Sequence, residues 1–168
     1  MNPHQEKWWK QARSDLRVFR LLRRSGVEPC HQLHYLQMAT EKLTKAYLWR
    51  GGGPPQRSHA GFVNFLRKLG LVEDQRREAL ASALDFRNFS QLRGWIQGVI
   101  PLAHELERLA PALAQNGPNP EYPWPHDAPV EYPADYEFTL WTRLLGTASG
   151  RRFLTVVEVA IDKFPMYA

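Results

Sequence analysis

The sequence predicts an all-α protein built as an antiparallel helical bundle. Apolar residues recur at spacings of three and four along most of the chain, which is the period of a helix with one buried face. Glycine and proline stand where these patterns stop. The chain has 168 residues, of which 43% are hydrophobic and 23% charged, and this is enough for one domain with its own core.

The first predicted helix runs from about Pro3 to Arg24 and ends at Ser25-Gly26, because glycine favours the position just after a last helical turn. Its predicted core face carries Trp8, Trp9, Ala12, Leu16 and Phe19. A neighbouring face carries five cations, which we call the basic stripe: Lys10, Arg13, Arg17, Arg20 and Arg24. A stripe roughly 20 Å long can follow a phosphate backbone, although charge beside an apolar face is also typical of a solvated helix surface.

The second predicted helix opens near Glu28-Pro29 and is stopped by the glycines and prolines at 51–55. Its core face is Leu33, Leu36, Ala39, Leu43, Ala46 and Tyr47. Glu41 and Lys45 are expected to form an i,i+4 ion pair on the opposite face. Met38 and Trp49 share an azimuth outside the core face. Six Trp are more than a bundle of this size readily hides, so we predict a homodimer whose interface includes this pair.

Three further helices are predicted in the middle of the chain. Ser58 is the expected N-cap of a short helix that carries Phe62, Phe65, Leu66 and Leu69. The next helix is expected from about Asp74 towards Arg93, after which Gly94, Gly98 and Pro101 weaken the pattern. A fifth stripe follows at Leu102, Leu106, Leu109 and Leu113. The sequence leaves open whether the last two are one kinked helix or two.

Residues 114–135 are predicted to form an extended strap between two helical parts, residues 1–113 and 136–168. Six of the 13 prolines fall in this segment, which excludes a helix or a central strand. Because Tyr122, Trp124 and Tyr132 are interleaved with them, we expect a strap with its aromatic side chains docked on the bundle. A proline-rich ligand for another protein's aromatic groove is the alternative.

The last part of the chain carries two apolar helical patterns, which are expected to pack on the bundle. The first comprises Phe138, Leu140, Trp141, Leu144 and Leu145, and the second comprises Leu154, Val157, Ile161 and Phe164. The run Thr155-Val156-Val157 also suits a strand. Since no partner strand is visible, a helix is the better interpretation.

Composition limits the classes of function and location. A net charge of +5 permits a polyanionic partner without requiring one. The single cysteine, Cys30, the lack of an apolar signal region and the lack of a long apolar run predict a soluble cytoplasmic protein without membrane contact. No cofactor is expected, since Gly51-Gly52-Gly53 leads into Pro-Pro rather than Lys-Ser/Thr. His31 and His34 lie one turn apart, but no further ligand at fixed spacing makes them a metal site.

The segment Gln37–Leu48 carries a Gln and an Ala before a Glu-Lys pair and a Lys-Ala pair, with a Gly-rich loop and His59 behind it. It resembles the second-helix signature of HEPN domains, over roughly the first 110 residues. The resemblance implies a HEPN-type bundle that pairs through its helices. It also implies a nucleotide- or RNA-associated protein, encoded with a small nucleotidyltransferase as its partner or within a toxin–antitoxin or defence system. His59 would organise a helix terminus.

Catalytic HEPN ribonucleases carry an Arg, usually followed by a polar residue, and a His separated from the Arg by four to six intervening residues. Here Phe86-Arg87-Asn88 is similar to the start of that motif, but the three positions for the His hold Leu92, Arg93 and Gly94. The stem of Arg87 is expected to cover apolar surface, with a retained phosphate role as the alternative. Arg24 and His31 have a matching spacing, but they span the break between two helices.

The resemblance therefore implies a non-catalytic binding or regulatory protein of HEPN type, with Arg87, Asn88 and His59 as the candidates for chemistry. The opposing hypothesis is a metal-independent endoribonuclease with a non-standard site. A third possibility is a structural oligomer whose strap recruits another protein.

Overall fold

Helices account for the architecture throughout the parts of the chain that the structure describes, residues 1–49, 61–125 and 129–168 of a computed structural model. The α-helices are α1 Pro3–Ser25, α2 Pro29–Leu48, α3 Phe62–Leu69, α4 Asp74–Ala83, α5 Phe89–Arg108, α6 Pro111–Ala114, α7 Thr139–Gly146 and α8 Ala148–Asp162. A 3-10 turn, Phe164–Met166, follows α8. These ranges contain no β-strand, only one isolated bridge between Trp124 and Glu131. The all-α prediction is confirmed.

Helix α1 has the boundaries that its sequence predicts. Asn2 caps its N-terminus, where the Asn2 side chain accepts from the backbone N–H of Gln5 and the Gln5 side chain accepts from that of Asn2. Gly26 ends the helix at φ 68°, a left-handed conformation that favours glycine. Ala12, Leu16 and Phe19 are buried, whereas Trp8 and Trp9 are half-buried at the edge of the core.

Helix α2 is buried along most of its length, with 12 of its 20 residues buried. It returns antiparallel to α1, so that His4 near the start of α1 stacks on Trp49 at the end of α2, with ring centroids 4.5 Å apart. All six residues of its predicted core face are buried. The Glu41–Lys45 pair exists, but its predicted location is wrong. Glu41 is only 5% exposed, because α1 covers this side of α2 as well.

The boundary between α4 and α5 differs from the prediction. The fourth helix ends at Ala83 rather than near Arg93, and one helix, α5, runs through Gly94, Gly98 and Pro101. Asp85 has φ 60°, which breaks the helix, and its backbone carbonyl and carboxylate accept hydrogen bonds from Arg152 and Lys163. Pro101 is tolerated because it lies on an exposed face, where water can hydrate the carbonyl of Gln97 that loses its donor.

The C-terminal helices share one apolar core with the N-terminal ones. The Trp9 indole N–H donates to the carbonyl of Ile161 over 2.7 Å, and Phe19 meets Trp141 edge-on. Helices α7 and α8 cross so closely that a β-carbon on Gly150 would lie 2.3 Å from the carbonyl oxygen of Arg143. The segment predicted to pack on the bundle does so, and the β-prone run at 155–157 is helical.

The proline-rich segment docks through one of its three aromatic residues. Trp124 is buried against the rings of Tyr136 and Phe138. Tyr122 and Tyr132 are each 59% exposed, so the expectation that they dock is wrong. The side chain of Asn119 accepts from two backbone N–H groups and forms a turn that directs Tyr122 outward. The tyrosine side chain tolerates contact with water better than the larger indole of Trp124, because its hydroxyl can be hydrated.

Glu107 links α5 to the start of α3. Its carboxylate accepts from the backbone N–H of Gly61 over 2.6 Å and from that of Val63 over 3.0 Å. These are donors that a helix N-terminus leaves without an intrahelical partner, and Gly61 has no side chain to cap them. Glu107 therefore fixes α3 on the bundle.

We expect Glu107→Ala to lower the free energy of unfolding by about 1–3 kcal/mol, because it leaves two buried N–H groups unpaired. Glu105→Ala is the matched control, since Glu105 lies two residues away and pairs with the half-exposed Arg143. It should cost about 0–1 kcal/mol. Urea unfolding of both variants measures the difference, and equal losses would contradict the role of Glu107.

Candidate nucleic-acid interface

The basic stripe lies on the face of α1 that neither α2 nor α8 covers completely. Lys10, Arg13, Arg17 and Arg24 are exposed, and only Arg20 is substantially covered. The rise of 1.5 Å per residue places Arg13 and Arg17 about 6 Å apart along the helix axis. This spacing is close to the distance between successive phosphates of an extended nucleic-acid strand.

Arg20 serves the fold rather than the surface. Its Nε donates to Glu158 over 2.8 Å and its Nη2 to Asp162 over 2.7 Å, so it joins α1 to α8. Arg23 lies 3.7 Å from the same Glu158. Two carboxylates already neutralise Arg20, and it has little charge to offer a phosphate. Lys10 is partly neutralised in a similar way by Glu6 at 2.7 Å.

Three arginines of the basic stripe keep their charge available. Arg13, Arg17 and Arg24 have no carboxylate within ion-pair distance among the described residues. The guanidinium of Arg13 lies 5.0 Å above the ring of Trp9, which holds it in place without neutralising it. These three side chains form the part of the stripe that can contact a polyanion.

A second charged group lies between α1 and α2, and we call it the polar seam: Gln11, Asp15, Glu41, Lys42 and Lys45. Glu41 accepts from Lys45 over 2.5 Å and from Lys42 over 3.1 Å. Gln11 donates to Asp15 over 2.8 Å, and the ammonium of Lys45 lies 5.0 Å above the ring of Trp8. The seam is too enclosed for a macromolecule to reach its carboxylates.

The two carboxylates of the polar seam titrate in opposite directions. Burial raises the pKa of Asp15, and the hydrogen bond from Gln11 and the charge of Lys42 offset this only in part. Burial also acts to raise the pKa of Glu41, but the hydrogen bonds and charges of Lys45 and Lys42 outweigh it and leave that pKa lowered. Ionised Asp15 is therefore a cost to the fold, whereas ionised Glu41 stabilises it.

The polar seam is the feature that sequence reasoning missed. Gln11 and Asp15 are four residues apart, as are Glu41 and Lys45, and each pair looks like an ordinary exposed i,i+4 contact. Only the packing of α1 on α2 shows that they face each other. A polar residue beside the predicted core face, such as Asp15 next to Leu16, was the available signal.

The remaining candidates do not assemble a catalytic or metal site within the described ranges. Nδ1 of His34 lies 3.4 Å from a carboxylate oxygen of Glu121 in the strap but forms no hydrogen bond with it. His31 is exposed. No group of three or more His, Cys, Asp or Glu side chains that could hold a metal ion occurs in the described part of the chain. His59, a candidate for chemistry and for a helix terminus, lies outside the described residues, as does the predicted N-cap Ser58.

Arg87 and Asn88 build the start of α5. The Asn88 side chain accepts from the backbone N–H of Gln91 over 2.9 Å, and the Gln91 side chain accepts from that of Arg87 over 2.9 Å. Arg87 is exposed and lies beyond the end of α4, in the turn that leads into α5. The residues that resemble the start of the catalytic motif therefore form the N-terminal cap of α5.

Met38 on α2 and Trp49 directly after it are both half-buried. The Met38 sulfur lies 3.6 Å from the ammonium of Lys42, and Trp49 stacks on His4. Part of the apolar area that suggested an interface is thus covered within the chain, and the rest remains at the surface beside the polar seam.

Comparisons with known proteins leave the family open. No family model matches the chain, and no curated protein and no solved structure matches it. Among the helices of the described ranges, none combines the length and the apolar character that crossing a bilayer requires.

The opposite titration of Asp15 and Glu41 gives a test of the polar seam. Asp15→Asn should raise the free energy of unfolding at pH 7 by about 1 kcal/mol or less, because the folded-state pKa is raised and the penalty of ionisation is complete above it. The gain should vanish at acid pH, where the wild-type carboxyl is protonated in both states.

Glu41→Gln is the matched variant with the opposite sign. It should lower the free energy of unfolding at pH 7 by about 1–3 kcal/mol, because two lysines lose a buried partner. The contribution of Glu41 is lost as pH falls through its lowered pKa, so this gap should also close in acid. Denaturant unfolding across pH measures both variants. Changes of the same sign in the free energy of unfolding at pH 7 would refute the opposite roles of Asp15 and Glu41.

Proposed function

We propose that this chain is a non-catalytic binding or regulatory protein of HEPN type that contacts RNA or a nucleotide through the basic stripe. The observation that carries the proposal is the availability of Arg13, Arg17 and Arg24, which are exposed and have no carboxylate partner among the described residues. Guanidinium groups bind phosphates with charge-assisted, often bidentate hydrogen bonds. The stretch Gln37–Leu48, which resembles the HEPN signature, supports the family.

The proposed partners are a second copy of the chain and a nucleotidyltransferase. The half-buried residues Met38 and Trp49, whose remaining surface lies beside the polar seam, support the homodimer, since Met and aromatic residues are enriched at interface cores. The nucleotidyltransferase, and a place in a toxin–antitoxin or defence system, are supported only by the HEPN resemblance. A cytoplasmic location fits the single cysteine.

The absence of catalysis is supported by the site that the catalytic motif would occupy. Leu92, Arg93 and Gly94 stand where the His is required, and Leu92 is fully buried in the core. Asn88 is engaged as a helix cap. A guanidinium cannot act as a general base near neutral pH, so Arg93 does not replace the His. A metal-independent endoribonuclease is the alternative.

RNA binding should depend on three side chains of the basic stripe. We expect Arg13→Gln/Arg17→Gln/Arg24→Gln to weaken binding of a fluorescent single-stranded RNA and to reduce the slope of log K against log salt by about 2, because three counterion-releasing contacts are lost. Fluorescence anisotropy at several salt concentrations measures both. The control is Arg67→Gln/Arg93→Gln/Arg108→Gln, which removes the same charge from α3 and α5. If both triple variants bind alike, the basic stripe is only a solvated face.

Purified protein should leave structured and single-stranded RNA intact in the presence of a chelator. Loss of general acid–base help typically costs about 10²–10⁴ in rate, which would make a ribonuclease ineffective. Gel analysis of labelled RNA measures cleavage, with Arg87→Ala as the variant that separates the two functions. Cleavage that disappears in Arg87→Ala would establish the endoribonuclease instead.

A further inference from the structure

A cleft of about 960 Å³ opens on the side of the bundle where the chain ends of several helices meet. It lies between the first turn of α1, the last turn of α2, the α3–α4 connection and the C-terminal 3-10 turn. Its lining includes Gln5, Tyr47, Lys68, Leu71, Arg76 and Tyr167. The volume is at the upper end of the range usual for small-molecule sites. The basic stripe contributes no side chain to it.

The floor of the cleft is aromatic. Tyr47 is almost fully buried, and the ring of Tyr167 lies beside it with centroids 6.5 Å apart. The Tyr167 hydroxyl donates to the backbone carbonyl of Ala160 over 2.6 Å, and burial raises the pKa of this phenol well above its usual range. Tyr167 is therefore a fixed, neutral part of the floor.

The rim of the cleft is aliphatic and open to solvent. Leu71 is 77% exposed and Met166 is 70% exposed, and they are the two most exposed large apolar side chains in the described ranges. Both line the same cleft. Single exposed apolar residues are normal on protein surfaces. Two of them at one concave site form a surface that would release free energy if the apolar part of a ligand covered it.

Two exposed cations and one nearly buried amide line the same cleft. Gln5 is only 3% exposed, and its side-chain nitrogen has no acceptor although nearly every buried donor finds one. Lys68 and Arg76 line the cleft and form no ion pair within the described residues. Among the lining side chains, Lys68 and Arg76 are cationic and Glu73 is acidic, and residue Ala168 lines the cleft as well.

We infer that this cleft binds a small organic anion. The apolar body of the ligand would lie over Tyr47 and Tyr167 and under Leu71 and Met166. Its carboxylate, sulfonate or phosphate head would pair with Lys68 and Arg76. A neutral ligand would gain no attraction from the two exposed cations, and an inorganic anion would leave the apolar floor and rim uncovered.

The test uses 8-anilinonaphthalene-1-sulfonate, an aromatic anion whose fluorescence rises when it leaves water. Full-length folded protein should bind it saturably at one site. Lys68→Gln/Arg76→Gln should weaken binding about tenfold, because two charge-assisted contacts at a partly exposed site are lost. Arg67→Gln is the matched control, since Arg67 is exposed on the same helix as Lys68 and does not line the cleft. It should bind like the wild type.

Two further measurements separate a specific site from general dye adsorption. Octanoate should displace the dye, and octanamide, its neutral counterpart, should do so about tenfold more weakly. Leu71→Asp places a carboxylate at an exposed rim position, so it should fold normally and weaken binding. Near-ultraviolet circular dichroism confirms native packing, because loosened folds also bind this dye.

The inference fails if the dye does not bind saturably, if the double variant and its control bind alike, or if octanamide competes as well as octanoate. It stands apart from the proposed RNA contact. Arg13→Gln/Arg17→Gln/Arg24→Gln should keep full dye binding, and Lys68→Gln/Arg76→Gln should keep its RNA binding.

Discussion

The packing of α1 against both α2 and α8 is the constraint on which the rest of the structure depends. One side of α1 lies along α2, and another meets α8 through the Trp9 indole and the Arg20 carboxylate contacts. Both contacts use charged or amphipathic side chains of α1, although the sequence of this helix suggests only a basic surface. Arg20 is neutralised by α8, whereas Arg13, Arg17 and Arg24 remain exposed. The candidate interface is therefore defined by what the two partner helices leave uncovered.

The polar seam shows how the same packing limits the choice of residues on α2. Once α1 covers Glu41, this carboxylate requires two lysines to compensate for its lost hydration, and Lys42 and Lys45 supply them. The contacts of Asp15 compensate less fully for the hydration that its carboxylate loses on burial, and the pKa of Asp15 is therefore raised. The stretch Gln37–Leu48, which carries the family resemblance, thus also has a structural role, because it supplies the ion pairs of the polar seam. The same residues cannot serve as evidence of chemistry, because packing already accounts for them.

Much of the fold could be predicted from periodicity, because a helix with one buried face leaves a regular pattern in sequence. The core face of α2 and both ends of α1 followed directly from it. The α4–α5 boundary did not, since Asp85 breaks the helix through contacts with Arg152 and Lys163, which are distant in sequence. Tyr122 and Tyr132 were misplaced because composition does not say which aromatic residue reaches the core. The cleft was invisible, because Gln5, Lys68 and Tyr167 come from three separate parts of the chain.

The central claim is that Arg20 stabilises the fold while the other arginines of the basic stripe contact RNA. Nuclear magnetic resonance of the arginine Nε–Hε groups during titration with single-stranded RNA at low salt tests it most directly. The signals of Arg13, Arg17 and Arg24 should shift, while the signal of Arg20 should stay in place because Glu158 and Asp162 hold it. Shifts confined to arginines outside α1, or equal shifts of Arg20 and its neighbours, would contradict the account.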